Sequence, residues 1–442
     1  MDSQAGIAKV SSNFGEEFRP RFHFTPERNW MNDPNGLLYY QGKYHLFYQH
    51  NPKGNLWGNM SWGHAISTNL FDWQHLPVAI AFDEEFGIFS GSAVVDYTNT
   101  SGFGSTEKPA MVAIFTAARH DQTHQSQHLA YSVDEGITWQ RYEGNPVLDE
   151  SMKDFRDPKV TWDESTKSWL MTIAKPEEHK IAFYCSPDLK QWKHLSDFGP
   201  RAAIGGCWEC PDLFALTGPN GSTHWVLLVS LNPGGVAGGS GTQYFIGEWD
   251  GTTFTTPQKK ELWVDYGRDN YAGVTFNDAP KNEKVFLGWM SNWLYARDIP
   301  TEIWRSSMTL PRKLELAIVD RELQLISQPI TPQGQNPDRY LFDCNEDCVV
   351  TYTTATGNIE IRFDRTTKKF SIDRSNAWLT DAVEAPQQSP EIKSPTVEVA
   401  IYFDHGSIEL FAPNAALSMT SLHLLYNNGV KISTLNARAL HA

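Results

Sequence analysis

Three carboxylates stand in settings that acid–base and nucleophilic chemistry can use. Asp33 lies in Trp30-Met31-Asn32-Asp33-Pro34-Asn35-Gly36, Asp157 in Lys153-Asp154-Phe155-Arg156-Asp157-Pro158-Lys159, and Glu209 in Gly205-Gly206-Cys207-Trp208-Glu209-Cys210-Pro211-Asp212. A proline disfavours the α region for the residue before it, so Asp33 is expected in an extended or bridge conformation, and Asp157 repeats the Asp-Pro device. Asn-Asp-Pro-Asn-Gly reads as a turn kept rigid by the strand that follows. The arginine before Asp157 is expected to keep that carboxylate ionised, as a permanent acceptor. Glu209, between an indole and a thiol, is expected to hold its proton more tightly, as a general acid requires. Taken alone, the motifs around Asp33 and Asp157 are more often only structural loops, and Glu209 reads equally well as a half-buried structural glutamate. The three together, surrounded by tryptophans, point to cleavage of a glycosidic bond, where one acid protonates the leaving oxygen and one carboxylate attacks.

The elements that must position them are strands. Leu37 to Tyr40 and Tyr44 to Gln49, joined by Gln41-Gly42, read as a β-hairpin. Short alternating or aromatic runs bounded by Gly, Pro, Asn and Asp recur throughout, and long helical periodicity is absent, so the fold is expected to be all-β. A degenerate repeat appears as Ser67-Thr68-Asn69-Leu70-Phe71-Asp72-Trp73, as Tyr131 to Trp139 and as Cys185 to Trp192, with a looser copy from Gly247 to Phe254. Its recurrence every ~55 to 65 residues suits a propeller blade of four strands. Five blades then fill residues 18–330, after an N-terminal extension at 1–17. Pro and Gln crowd residues 331–340, which reads as a linker. Period-2 alternation at Ile359, Ile361 and Phe363, and again at Val397, Val399, Ile401 and Phe403, predicts a β-sandwich over 341–442.

At 442 residues the chain is long enough for two domains. A formal net charge of −15 argues against nucleic acid or an anionic membrane as partner and favours a neutral substrate. No apolar run approaches the ~20 residues that span a bilayer. Met1 to Val10 lacks the basic start and apolar centre of a secretory signal, which leaves a cytoplasmic protein or the mature form of a secreted one as alternatives. Cys207 and Cys210 have CxxC spacing without a second pair, so neither a structural zinc site nor a disulfide framework is expected. His120, His124 and His128 lie among polar residues and read as solvated loop histidines, not metal ligands. No metal or cofactor is expected.

Residues 30–36, Phe155-Arg156-Asp157-Pro158 and Trp208-Glu209-Cys210-Pro211-Asp212 resemble the three signature motifs of the β-fructosidases, family 32 of the glycoside hydrolases, which includes invertases, exo-inulinases and exo-levanases. Tyr48-Gln49-His50-Asn51-Pro52, Trp57-Gly58, Phe89-Ser90-Gly91-Ser92 and Gly288-Trp289-Met290-Ser291-Asn292-Trp293 extend the resemblance over almost the whole chain. The resemblance implies a five-bladed propeller followed by a sandwich, and a retaining mechanism that releases terminal fructosyl units from sucrose, inulin or levan. It implies Asp33 as nucleophile, Glu209 as acid and then base, and Asp157 as transition-state stabiliser, with the first two carboxyls roughly 5 to 5.5 Å apart. Asn32, Gln49, Trp57, Phe89, Ser90, Arg156, Tyr271 and Trp293 match the family's substrate-contacting positions. The likeness weakens from the linker to Thr356, where early sandwich strands look missing. Uncovered edges there would favour a homo-oligomer. A fructosyltransferase using the same covalent intermediate is the close alternative. A non-catalytic carbohydrate-binding propeller is disfavoured because all three carboxylates are present. A five-bladed glycosidase acting on arabinose or xylose is disfavoured by the full motifs around Asp33 and Glu209. Preference among sucrose, inulin and levan is left open.

Overall fold

The computed structural model describes residues 16–377, 386–426 and 429–440; the N-terminal extension therefore lies outside the described residues except for Glu16 and Glu17. Strands dominate, and the only helical pieces among the described residues are four 3-10 turns. Five sheets follow one another along the chain. Their innermost strands are Asn29–Tyr40, Phe86–Asp96, Arg156–Asp163, Cys207–Thr217 and Tyr271–Thr275, and each sheet builds outward from there by antiparallel pairing. An apolar cluster fills every gap between neighbouring sheets. Phe47 and Trp62 meet Val95 and Phe115, Val94 and Val112 meet Val160 and Met171, and Phe183 meets Leu227 and Phe245. Leu228 and Phe214 meet Phe286 and Leu314, and Val285 and Leu287 meet Met31 and Leu46. Five interfaces between five sheets close a ring, which is a five-bladed propeller. Trp304 and Arg305 seal it by pairing in parallel with Asn29 and Trp30 of the first blade.

The repeat read from sequence is a hairpin device joining the third and fourth strands of a blade. Ser67, Ser132 and Ser186 each hydrogen-bond the Asn or Asp two residues on, and Trp73, Trp139 and Trp192 each donate an indole N–H to the carbonyl three residues earlier, at 2.9, 3.0 and 2.9 Å. The looser copy at 247–254 turns through Asp250, whose carboxylate accepts the backbone N–H groups of Thr252 and Thr253.

The Gln41-Gly42 hairpin forms as read, with φ of 48° and 78°, the left-handed pair of a tight two-residue turn. Asn-Asp-Pro-Asn-Gly differs from the expectation: it is no turn but part of the continuous strand Asn29–Tyr40, interrupted by a bulge between Met31 and Pro34. A bulge accepts proline because no ladder N–H is needed there. Gly36 is required because its φ is +54° and a Cβ would lie 2.6 Å from the Phe47 ring.

Beyond residue 329 two five-stranded sheets pack face to face as a β-sandwich. The segment expected to be short of strands supplies Asp338–Asp343 to one sheet and Cys348–Thr354 to the other, the first beginning inside the stretch read as linker. The two bodies are joined by buried ionic groups. Arg312 donates to Asp265 and Glu409, His23 lies between Asp404 and Glu409, and Arg374 donates to Asp269. His128 is a buried strand residue within Gln125–Ser132, contrary to the solvated-loop reading, because the turn ends before it; burial lowers its pKa to about 4. His120 and His124 stay at the turn.

Candidate active site

The five innermost strands share one irregularity at one level. Met31 to Pro34, Ile88 to Gly91, Arg156 to Lys159, Glu209 to Asp212 and Tyr271 to Val274 each advance one residue further than the neighbouring strand does. An extra residue in one strand of an antiparallel pair breaks the alternation of faces and re-aims side chains. Asp157, Cys210 and Ala272, at equivalent places in these bulges, have φ of 66°, 46° and 53°. Left-handed backbone at such residues costs about 1–3 kcal/mol each and persists only where packing over-determines it.

The bulges deliver eight of the candidate residues to a single cavity of about 750 Å³, which Gln49 enters from the neighbouring strand and Trp57 and Trp293 from loops. Its lining contains all eleven positions singled out from sequence: Asp33, Asp157, Glu209, Asn32, Gln49, Trp57, Phe89, Ser90, Arg156, Tyr271 and Trp293. Asp33 accepts hydrogen bonds from Ser90 Oγ at 2.7 Å and Asn32 Nδ2 at 3.1 Å, and Asn32 is itself fixed by the Trp30 indole N–H at 2.7 Å. Gln49 donates to Asn35 and to the Ile88 carbonyl, tying the first blade to the second. Trp293 stacks on Trp30 at 5.8 Å, and Trp57 meets Phe89 edge-on at 5.9 Å, which gives the cavity two apolar walls.

Arg156 is the hub of the polar side. Its Nη1 lies 2.7 Å from Asp154, and its Nε and Nη2 each lie 3.1 Å from Glu209 Oε1. The Tyr271 hydroxyl donates to Glu209 Oε2. Glu209 therefore does not sit between an indole and a thiol as its sequence neighbours suggest. Alternation along the strand sends Trp208 into the core, where its indole N–H reaches Ala203 O, while the bulge turns the Cys210 thiol toward Asp33 and Asp157 at 3.7 and 3.6 Å.

Burial raises the pKa of Asp33, the Ser90 and Asn32 hydrogen bonds oppose the rise, and the Glu209 charge adds to it. Asp157 is also raised: its burial outweighs the Arg156 charge, and the Glu209 and Asp33 charges reinforce it. This reverses the expectation that the adjacent arginine would dominate, and the geometry explains why, since every Arg156 hydrogen bond runs to Asp154 or Glu209. Burial and the nearby carboxylates likewise push the Cys210 thiol and the Tyr271 hydroxyl up, so both stay protonated as donors.

Asp154 was not singled out by sequence, yet it lines the cavity and anchors Arg156. The signal was its position two residues before an arginine, within reach of the guanidinium across the bend that precedes the strand Arg156–Asp163. Gln122, Leu294, Arg297 and Asp298 also line the cavity and carry no motif that marks them. No group of three or more His, Cys, Asp or Glu side chains among the described residues is arranged to hold a metal ion.

Residues 23–329 match the glycosyl hydrolases family 32 N-terminal domain, and residues 349–432 match the family 32 C-terminal domain. A levanase of Bacillus subtilis (strain 168) is 41% identical over 98% of this chain and 72% of its own. The crystal structure of an exo-inulinase from Aspergillus awamori superposes with a TM-score of 0.90 at 34% identity, covering 96% of each chain. A fructofuranosidase from Schwanniomyces occidentalis complexed with fructose gives a TM-score of 0.85 at 31% identity, over 97% of this chain and 96% of that one. The motifs, the ring of five blades and these likenesses agree, and the chain belongs to glycosyl hydrolase family 32.

Proposed function

We propose that this chain is a retaining β-fructofuranosidase that removes terminal fructosyl units from sucrose or from fructans such as inulin and levan, with Asp33 as nucleophile and Glu209 as acid and base. One observation carries the assignment of roles: Asp33 and Glu209 enter one cavity from separate blades, Asp33 between Ser90 and Asn32, Glu209 between Arg156 and Tyr271. In the first step an Asp33 oxygen attacks the anomeric carbon of the fructosyl unit, the glycosidic C–O bond breaks, and the Glu209 proton passes to the leaving oxygen. In the second step Glu209 takes a proton from water, the water oxygen attacks the same carbon, and Asp33 leaves with its bonding electrons. Two inversions at one carbon give retention.

The other assignments follow from side-chain chemistry. Asp157 accepts hydrogen bonds from ring hydroxyls, and these strengthen as positive charge develops on the ring. Trp57, Phe89 and Trp293 supply apolar walls, while Asn32, Gln49, Ser90 and Arg156 orient hydroxyls. Tyr271 holds Glu209 in line with the leaving oxygen. The levanase, exo-inulinase and fructose-bound relatives support a fructosyl substrate. The net charge of −15 supports a neutral one and speaks against nucleic acid or an anionic membrane as partner. The same reading takes 18–330 as the catalytic propeller, 331–337 as a linker and the residues from Asp338 onward as the sandwich. A second copy of the chain would meet the exposed edge strand Lys431–Leu435.

The test is release of free fructose from sucrose, inulin and levan by the intact chain and by Asp33→Asn. Release by the intact chain, and its loss by a factor on the order of 10⁴ or more in the variant, is expected. Equal release by both would remove Asp33 from the chemistry. Transfer products exceeding free fructose at high sucrose would favour the fructosyltransferase.

A further inference from the structure

The cavity is built from propeller residues, yet two of its walls are held from outside the propeller. Arg374 follows the sandwich strand Lys369–Asp373 and is fully buried. Its Nη1 donates to Asp269 Oδ2 at 2.7 Å and to the Leu422 carbonyl at 2.6 Å, and its Nη2 donates to the Tyr295 hydroxyl at 2.8 Å. The Tyr295 hydroxyl in turn donates to Asp269 Oδ1, and the guanidinium carbon lies 5.4 Å from the Tyr295 ring centroid. Asp269 also accepts the backbone N–H of Leu422 at 2.8 Å, so the acid is gripped from the sandwich twice.

Both propeller partners stand two residues from the cavity's working parts. Asp269 precedes Tyr271, whose hydroxyl holds Glu209. Tyr295 follows Trp293, which stacks on Trp30, and Tyr295 itself lines the cavity. Asn292 joins the two segments: its side-chain amide donates to the Arg268 carbonyl at 2.8 Å, and its backbone carbonyl accepts the N–H groups of Tyr295 and Ala296. Segments 268–271 and 292–296 therefore form one unit, and the charge pinning that unit from behind belongs to the sandwich.

We propose that Arg374 is a positioning residue for the reaction: through Asp269 and Tyr295 it sets where Tyr271 and Trp293 stand, so the sandwich shapes the fructosyl pocket without touching it. The effect on catalysis rests on the reading of this cavity as the fructosyl site; the clamp itself does not. A planar guanidinium reaches an acid and a hydroxyl at once in fixed geometry, which a lysine cannot reproduce.

The experiment uses the full chain with Arg374→Met, Arg374→Lys, Tyr295→Phe and the Arg374→Met/Tyr295→Phe pair. Hydrogen exchange is measured without substrate, and kcat and KM for sucrose are measured well below the unfolding temperature. Amides in 268–271 and 292–296 are expected to exchange at least ~10-fold faster in each single variant, with the second and third blades unchanged. A displacement near 1 Å costs up to about 100-fold, so kcat/KM is expected to fall ~10- to 100-fold, and the pair should be no worse than the more damaging single variant. A lowered unfolding temperature with unchanged exchange in these segments and unchanged kcat/KM would overturn the proposal and leave Arg374 as a structural tie. Where Arg374→Met does not fold, Tyr295→Phe decides between these outcomes alone. Where the unaltered chain releases no fructose, the functional reading fails by that control while exchange still tests the clamp.

Discussion

His23 offers a measurable handle on how the two bodies hold together. Its Nδ1 lies 2.9 Å from Asp404 Oδ2 and its Nε2 lies 2.8 Å from Glu409 Oε1, with all three side chains buried. A neutral imidazole has one N–H and cannot donate to both acids, so this arrangement calls for the imidazolium. Burial opposes the charge, but the two carboxylates outweigh it and raise the His23 pKa from 6.5 to about 9. That rise corresponds to about 3 kcal/mol of folding free energy. Because the folded-state pKa lies above the unfolded one, this contribution is fully present below pH 6.5 and is lost as pH rises through 9. Burial pushes Asp404 and Glu409 up, but His23 and backbone N–H groups on Asp404, and Arg312 and His23 on Glu409, outweigh it and shift both down, so their share is present above their unfolded values of 3.8 and 4.5 and is lost at lower pH. The His23 shift and the His23 part of the two acid shifts describe one interaction from its two sides, and its energy is counted once; Glu409 is lowered first by Arg312.

The perturbation is His23→Gln, followed by tryptophan fluorescence during urea unfolding at pH 6 and at pH 9.5. The substitution should destabilise the protein about 3 kcal/mol more at pH 6 than at pH 9.5, since the wild-type imidazolium is largely gone at the higher pH. Subtracting one pH from the other cancels any pH-independent packing cost of the glutamine. A destabilisation equal at both pH values would refute the reasoning, as would an NMR titration placing His23 near 6.5.

The remaining predictions concern the cavity. Asp33 must be ionised to attack, and burial raises its pKa above 3.8, so kcat/KM for sucrose should fall on the acid side with a midpoint above 3.8; a pH–rate profile with its acid limb at or below that value would contradict the assignment. Tyr271→Phe removes a hydrogen bond that reaches charge-assisted strength, about 1.5–3 kcal/mol, only as Glu209 gives up its proton, so kcat/KM should drop about 10- to 100-fold. Most of that drop should appear in kcat, and an unchanged kcat in steady-state assays would show that the hydroxyl does not serve Glu209.

Much of the scaffold was legible because it is written locally. The Ser-x-Asn/Asp turn closed by a tryptophan indole needs only seven or eight consecutive residues, and three clear copies announce three blades. The site was legible as motifs but not as an environment. Glu209 owes its partners to Arg156 and Tyr271, which are 53 and 62 residues away and arrive from the flanking blades. Its sequence neighbours mislead because successive side chains of a strand face opposite ways. Arg156 fails to govern the adjacent Asp157 for a related reason, since its guanidinium reaches back to Asp154 and across to Glu209. The bulges themselves were invisible: an extra residue exists only relative to the partner strand, and prolines at 34, 158 and 211 are its sole trace in the sequence.

Five equivalent bulges bear five different loads, and this accounts for why the site gathers in one cavity. At the level of the last paired residue before each bulge stand Met31, Ile88, Arg156, Glu209 and Tyr271; one step on stand Asn32, Phe89, Asp157, Cys210 and Ala272. A single backbone device thus presents an acid, a cation, a hydroxyl and apolar walls to the same volume. Carboxylates gathered around one guanidinium repel one another, and left-handed residues are strained, so neither would survive in a sheet free to relax. The closed ring denies that relaxation. Its seam pairs Trp304 and Arg305 with Asn29 and Trp30, and the Trp30 indole holds Asn32 against Asp33. Closing the propeller and aiming the nucleophile are therefore one structural act, and loosening the seam should disturb Asp33 before it unfolds a blade.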